Sequence, residues 1–119
     1  MKLRVMVVED DALILMNNVD ILEELGYAVS QAATGAKALQ YLAIHQIDVL
    51  LADVGLPDMS GVTLATHATA LWPSLVVIFA TGRGRVDEAA HLSRSMVLTK
   101  PYDFAALEAA LTRAIAFVA

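Results

Sequence analysis

Short apolar runs alternate along this chain with longer stretches in which apolar residues return at helical spacing, and that alternation restricts the fold more than any other feature. The runs are Leu3 to Val8, Ala28 to Ala32, Val49 to Ala52, Leu75 to Ala80 and Met96 to Leu98. They are short and mostly rich in Val, Leu or Ile, and several lack the in-out alternation of a half-exposed strand. Between them, Ala12 to Leu25 carries Leu15, Val19, Leu22 and Leu25, and Gly26 follows as a C-terminal stop. Ala36 to Ile44 repeats the pattern with Leu39, Leu42 and Ala43, and so does Val62 to Leu71. Phe104 to Val118 does so again with Leu107, Leu111, Ile115 and Val118. The stretch from Arg85 to Leu92 is the weakest helix, brief and polar. Strand-helix units in series imply right-handed crossovers and a parallel sheet covered on both faces. Such a sheet also accounts for a chain that is 58% hydrophobic and only 18% charged.

The 119 residues fit one domain, taken here as 1–119, large enough to bury a real core. A net charge of −5 argues against a domain that coats phosphate backbones, which needs clustered Lys and Arg. The absence of cysteine excludes a disulfide framework, a thiolate zinc site and a cysteine nucleophile. Met59 to Gly82 carries no Lys, Arg, Asp or Glu, but Ser60, Gly61, the threonines, His67 and the Trp72-Pro73-Ser74 corner interrupt it. No apolar run reaches the roughly 20 residues of a membrane span. The N-terminus runs into Glu9-Asp10-Asp11 with no small-residue cleavage site. A soluble, cytoplasmic protein is expected.

In a sheet of this kind ligands gather at the carboxyl ends of the strands. The first strand ends in Glu9-Asp10-Asp11, the third in Asp53, the fourth in Thr81-Gly82 and the fifth in Thr99-Lys100-Pro101. Taken singly these have ordinary uses: Asp11 suits the N-cap of the first helix, and Thr81-Gly82 suits a turn. Together they set Glu9, Asp10 and Asp53 within a few ångströms of one another, where like charges repel. Protonating one carboxyl or binding a divalent cation relieves that repulsion, and oxygen-only ligands with room for water suit Mg²⁺. Lys100 and the Thr81 hydroxyl opposite such a cation complete a site able to receive three anionic oxygens, as a phosphoryl acceptor must. The histidines His45, His67 and His91 lack metal-ligand spacing, Trp72 reads as packing, and Tyr102 is expected to cover the edge of the site.

The residues Val7-Val8-Glu9-Asp10-Asp11, Val49-Leu50-Leu51-Ala52-Asp53 with Leu56-Pro57-Asp58-Met59-Ser60-Gly61, Phe79-Ala80-Thr81-Gly82 and Leu98-Thr99-Lys100-Pro101-Tyr102 carry a resemblance. Over essentially its whole length the chain resembles a response-regulator receiver domain of two-component signalling. The resemblance implies a doubly wound α/β fold, flavodoxin-like (βα)5, with strand order 2-1-3-4-5. It implies that Asp53 is the phosphoacceptor, taking its phosphoryl group from a histidine kinase or a histidine phosphotransfer protein. It implies that Glu9, Asp10 and Asp53, with the backbone carbonyl of Gly55, hold Mg²⁺, Asp10 directly. Thr81 would bond one phosphoryl oxygen, Lys100 would pair with another, and Lys100-Pro101 would be cis.

Two departures bear on signalling. Receivers usually carry an aromatic three residues before the lysine, and here Val97 stands there; the stretch from Thr81 to Lys100 is also shorter than usual. Phe79-Ala80-Thr81-Gly82 is similar to a group of mostly single-domain receivers with that start, but Gly84 stands in place of their tyrosine. The expected function is a stand-alone phosphoacceptor switch in a phosphorelay, not an enzyme acting on an outside substrate. Its output is a protein-binding face, without direct contact to nucleic acid or membrane, and its apolar last helix offers a surface for a further domain or a second copy. The alternatives are a pseudo-receiver working without phosphorylation and a small Mg²⁺-dependent aspartyl phosphohydrolase. The hydrolase wants its nucleophile on the first strand, where glutamate is the wrong residue.

Overall fold

A computed structural model describes residues 2–118; Met1 and Ala119, the ends of the expected domain, lie outside the described residues. Five strands, β1 (Arg4–Val8), β2 (Ala28–Ala32), β3 (Val49–Asp53), β4 (Val76–Thr81) and β5 (Ser95–Thr99), form one parallel sheet in the order β2-β1-β3-β4-β5. Four helices connect or follow them: α1 (Ala12–Glu24), α2 (Gly35–Leu42), α3 (Gly61–Leu71) and α4 (Phe104–Ile115). The strand order is the one the resemblance implies.

Side chains alternate across a strand, so a sheet covered twice needs apolar residues at every position. The three central strands have them from Val5 to Val8, from Val49 to Ala52 and from Val76 to Ala80. Met6, Val8, Leu50, Ala52, Val77 and Phe79 pack with α2 and α3, through Ala38, Leu42, Leu64 and Ala68. Val5, Val7, Val49, Leu51, Val76 and Ile78 pack on the other face with α1 and α4, through Leu22, Leu107 and Leu111. Burying both faces removes apolar area worth about 25 cal/mol per Å² from water, which makes this double core the main stabilising contribution.

Each α-helix begins on a polar cap. Asp11 accepts from the amides of Leu13 (3.0 Å) and Ile14 (3.1 Å), and Thr34, Ser60 and Asp103 do the same work for α2, α3 and α4. The stop at Gly26 is as expected. Its φ of +96° lets its amide reach the Glu23 carbonyl while that of Tyr27 reaches Leu22, which closes the end of α1.

The fourth connection departs from the expected α-helix over Arg85 to Leu92. It holds a single 3₁₀ turn, Asp87–Ala89. The residues it turns inward are Val86 and Ala89, both buried, and the half-buried Leu92. A spacing of three is the 3₁₀ period, and bonds from Ala89 to Val86 and from Leu92 to Ala89 follow it. So few inward residues cannot offset the cost of nucleating an α-helix. The last helix is also shorter than Phe104 to Val118: beyond Ile115 tight turns take over, and Arg94 donates to the Phe117 carbonyl at 2.6 Å. That bond satisfies a carbonyl beyond the end of α4 that has no intrahelical partner. Among the described residues no helix is long and apolar enough to cross a membrane.

Candidate functional site

Four strands deliver the site. Asp53 and Thr81 are the last ladder residues of β3 and β4, Asp53 opposite Ala80 and Thr81 opposite Thr99. Glu9 and Asp10 leave β1, the Glu9 amide still bonded to Ala32 of β2 at 3.1 Å. Lys100 leaves β5 with its amide on the Thr81 carbonyl at 2.7 Å, and its bond to Pro101 is cis. The strands thus converge at one edge of the sheet because apolar pairing fixes their register, and the polar residues only occupy its end.

Carboxylate oxygens of Glu9, Asp10 and Asp53 all lie within 4.8 Å of one another. Among the described residues this is the only group of three such side chains placed to share a cation. Lys100 Nζ sits between two of them, 3.3 Å from Glu9 Oε1 and 3.3 Å from Asp53 Oδ1. Glu9 is 3% exposed, and its other oxygen accepts the Asp11 amide at 3.1 Å. Burial raises the Glu9 pKa and the Asp53 charge adds to it, while the Asp11 amide and Lys100 offset only part. Burial alone would lower the Lys100 pKa; the charges and hydrogen bonds of Glu9 and Asp53 outweigh it and raise it. Lys100 therefore stays charged and relieves the crowding of carboxylates by standing between them, an arrangement beyond protonation or a cation.

Asp10 is exposed and Asp53 half-buried, so the cluster opens to solvent on one side. The donors are all oxygens, three of them carboxylate, with room left for water, which is the chemistry Mg²⁺ selects. The loop after β3 closes back on itself. Gly55 pairs with Ser60, the Gly61 amide donates to the Val54 carbonyl at 2.8 Å, and a Cβ on Gly61 would meet the Asp53 carbonyl oxygen. Only glycine lets α3 start that close to the Asp53 backbone. Gly55, the expected carbonyl ligand, is exposed, and its amide lies 3.4 Å from Asp53 Oδ1. Thr81 is buried beside the cluster, and its hydroxyl accepts the Arg83 amide at 3.2 Å.

Tyr102 stands at the edge of the site, next to Lys100. Its hydroxyl accepts from Asn18 Nδ2 of α1 at 2.8 Å, and its ring packs with the α1–α4 layer. With Ile14, Asn17 and Lys100 it lines an open cleft of about 400 Å³ beside the site. Asn18, 2% exposed, has a signal in the sequence: it falls three residues after Leu15 and four before Leu22, on the inward stripe of α1. Asp58 has none, because the amides it bonds belong to Gly35 and Ala36, far back in the chain. Val97 is half-buried against the α2–α3 layer with Phe79 and Val86. His45 stacks on Tyr41 and His91 bonds Thr66, well apart from the cluster. Trp72 packs as expected, donating to the Leu42 carbonyl at 2.8 Å.

Comparison with known proteins agrees with this geometry. The family model described as "Response regulator receiver domain" matches residues 5–112. The response regulator receiver protein CpdR of Brucella abortus (strain 2308) is 33% identical over 102 residues, covering 83% of this chain and 85% of that protein. The sensor kinase CckA of the same strain is 34% identical over 80 residues, 66% of this chain but 8% of the kinase. The chain spans just over half the length (56% and 55%) of two of the transcriptional regulators it also matches, and 26% of another. Among solved structures, a response regulator receiver domain protein (CheY-like) from Methanospirillum hungatei JF-1 superimposes with a TM-score of 0.86 at 28% identity, covering 98% of this chain and 97% of that one.

Proposed function

The chain belongs to the response regulator receiver domain family, and on that premise we propose that its acidic pocket receives a phosphoryl group on Asp53. The observation that carries the reading is the convergence of Asp53, Glu9 and Asp10, with Lys100 bridging the first two. No purely structural use calls for three carboxylates and a lysine at the open end of a parallel sheet.

Glu9 and Asp10 hold Mg²⁺ in this reading, Asp10 directly, with Asp53 and the Gly55 carbonyl as further ligands. Bound there, the ion supplies charge neutralisation between acceptor and incoming phosphoryl oxygens. An Asp53 carboxylate oxygen forms the new O–P bond as the N–P bond of a donor phosphohistidine breaks. The imidazole leaves with the bonding pair and takes up a proton. Lys100 then gives up its contact with Asp53 and pairs with a phosphoryl oxygen, and the charged state in which Glu9 and Asp53 hold it suits that exchange. The Thr81 hydroxyl has one proton to donate and donates it to another phosphoryl oxygen while still able to accept from Arg83.

The donor is a histidine kinase or a histidine phosphotransfer protein, a reading supported by the likeness to CpdR and to part of the kinase CckA. The product is a changed protein-binding face on a cytoplasmic domain covering residues 1–119, which processes no outside substrate. The phosphohydrolase alternative loses ground to the geometry around β1, where Asp11 is committed to capping α1 and Glu9 is buried against Lys100. Phosphoramidate, a small P–N donor, tests the proposal. Wild-type protein should consume it with Mg²⁺, stop on chelation, and slow at least about tenfold in Lys100→Ala. Consumption that is indifferent to both chelation and Lys100→Ala would overturn it.

A further inference from the structure

The loop between β3 and α3 has a fixed base and a tip that needs holding. Its base is closed by the Gly55–Ser60 pairing, by the Gly61 amide on Val54, and by the Val54 amide on Ala80 at 3.2 Å. At the tip, Leu56 is buried, but Pro57 and Asp58 are exposed and have no strand or helix of their own. What holds the tip is a contact with another element. Asp58 Oδ1 accepts the Gly35 amide and Oδ2 accepts the Ala36 amide, each at 2.9 Å. A Cβ at residue 35 would stand 2.5 Å from Met59 Cγ, so Met59 packs directly on Gly35 and any larger residue there would have to displace it.

We propose that Asp58 is a positioning residue: by anchoring the tip of the 54–60 loop to the first turn of α2, it sets the loop carrying Gly55 for metal binding and couples that binding to α2. The inference rests on the acidic pocket holding a divalent cation. Helix capping alone does not account for the arrangement. Thr34, next to the helix in sequence, already caps α2 through the Lys37 amide at 3.2 Å. A carboxylate brought from the far side of β3 instead joins two segments that share no hydrogen-bonded ladder. The bond is charge-assisted and aimed at the positive end of a helix, which strengthens it relative to a neutral cap. The two amides also lower the Asp58 pKa, in keeping with a carboxylate held ionised. Freed of this anchor, the tip would have to be ordered at the moment the cation binds, and that ordering would be subtracted from the affinity. Coupling is reciprocal, so a bound cation must also steady the Asp58–α2 contact.

Calorimetric titration with Mg²⁺ and hydrogen exchange test this together. Asp58→Ala should raise the Mg²⁺ dissociation constant about tenfold, within the usual range for coupled sites. Asp58→Asn, which keeps one acceptor oxygen, should fall between it and wild type. Thr34→Ala, which weakens the same helix end without touching the loop, should leave the dissociation constant unchanged. In wild type, Mg²⁺ should slow exchange of the Gly35 and Ala36 amides. If Asp58→Ala binds Mg²⁺ like wild type while Asp10→Ala does not, the anchor is wrong and the phosphoacceptor reading stands. If Thr34→Ala loses as much affinity as Asp58→Ala, Asp58 is only a cap and the inference is overturned. Failure of the wild type itself to bind Mg²⁺ would overturn both. Should Asp58→Ala not fold, Asp58→Asn and the wild-type exchange pattern decide.

Discussion

Lys100 and Asn18 show how single polar residues are accommodated at the edge of an apolar core. Lys100 is held by two carboxylates, and Asn18 by a single phenol. Because Asn18 is buried, Tyr102→Phe leaves its amide without an acceptor, and the expected loss is about 1–2 kcal/mol in urea unfolding of the metal-free protein. Unchanged stability would show that Asn18 finds another partner. Asp58 gives a pH signature. Its pKa lies below the usual 3.8 because the Gly35 and Ala36 amides favour the ionised form. The stability it contributes is therefore fully present above the unfolded value and lost as pH falls through the lower folded one. The melting-temperature gap between wild type and Asp58→Ala should hold steady from about pH 7 to about pH 4 and close below that. Site residues at strand ends were legible in the sequence because an apolar run shows where it stops. The partners of Asp58 and Tyr102 were not, since they lie on other elements and no local pattern encodes the meeting.

Among the elements, the fourth connection departs most from expectation and bears most on output. The loop from Gly82 to Val86 leaves β4 with Arg83 bonded through its amide to Thr81 and through its guanidinium to Glu88 at 3.3 Å. Arg85 pairs with Asp87 at 3.1 Å, and both pairs are exposed, so each contributes little to stability and is easily exchanged. When Thr81 turns to a phosphoryl oxygen, the Arg83 amide must follow it or lose its acceptor. Gly82 and Gly84 lower the cost of that movement. Val97 is β-branched, half-buried and too short to exchange between two positions, so it has no comparable freedom. Backbone amide shifts with a beryllofluoride phosphoryl mimic should be largest from Gly82 to Asp87 and smaller near Val97. Shifts centred on Val97 and α4, with the loop silent, would contradict this route. The sequence marked this connection as weak yet still helical, because periodicity does not separate a helix from a 3₁₀ turn when only Val86, Ala89 and Leu92 point inward.

At the scale of the molecule, the two apolar layers follow from three central strands that are apolar over most of their length, a pattern the sequence carries openly, while the sheet order was legible only through the family resemblance. The functional end follows from that architecture rather than from any local motif: strands locked in register by their cores bring Glu9, Asp10, Asp53, Thr81 and Lys100 to one edge. The central claim is that this edge accepts one phosphoryl group, on Asp53, with a divalent cation present. Intact-mass measurement after incubation with acetyl phosphate tests it most directly. The account requires a single phosphoryl adduct in Mg²⁺ that disappears on chelation and in Asp53→Asn; an adduct that survives Asp53→Asn would contradict it.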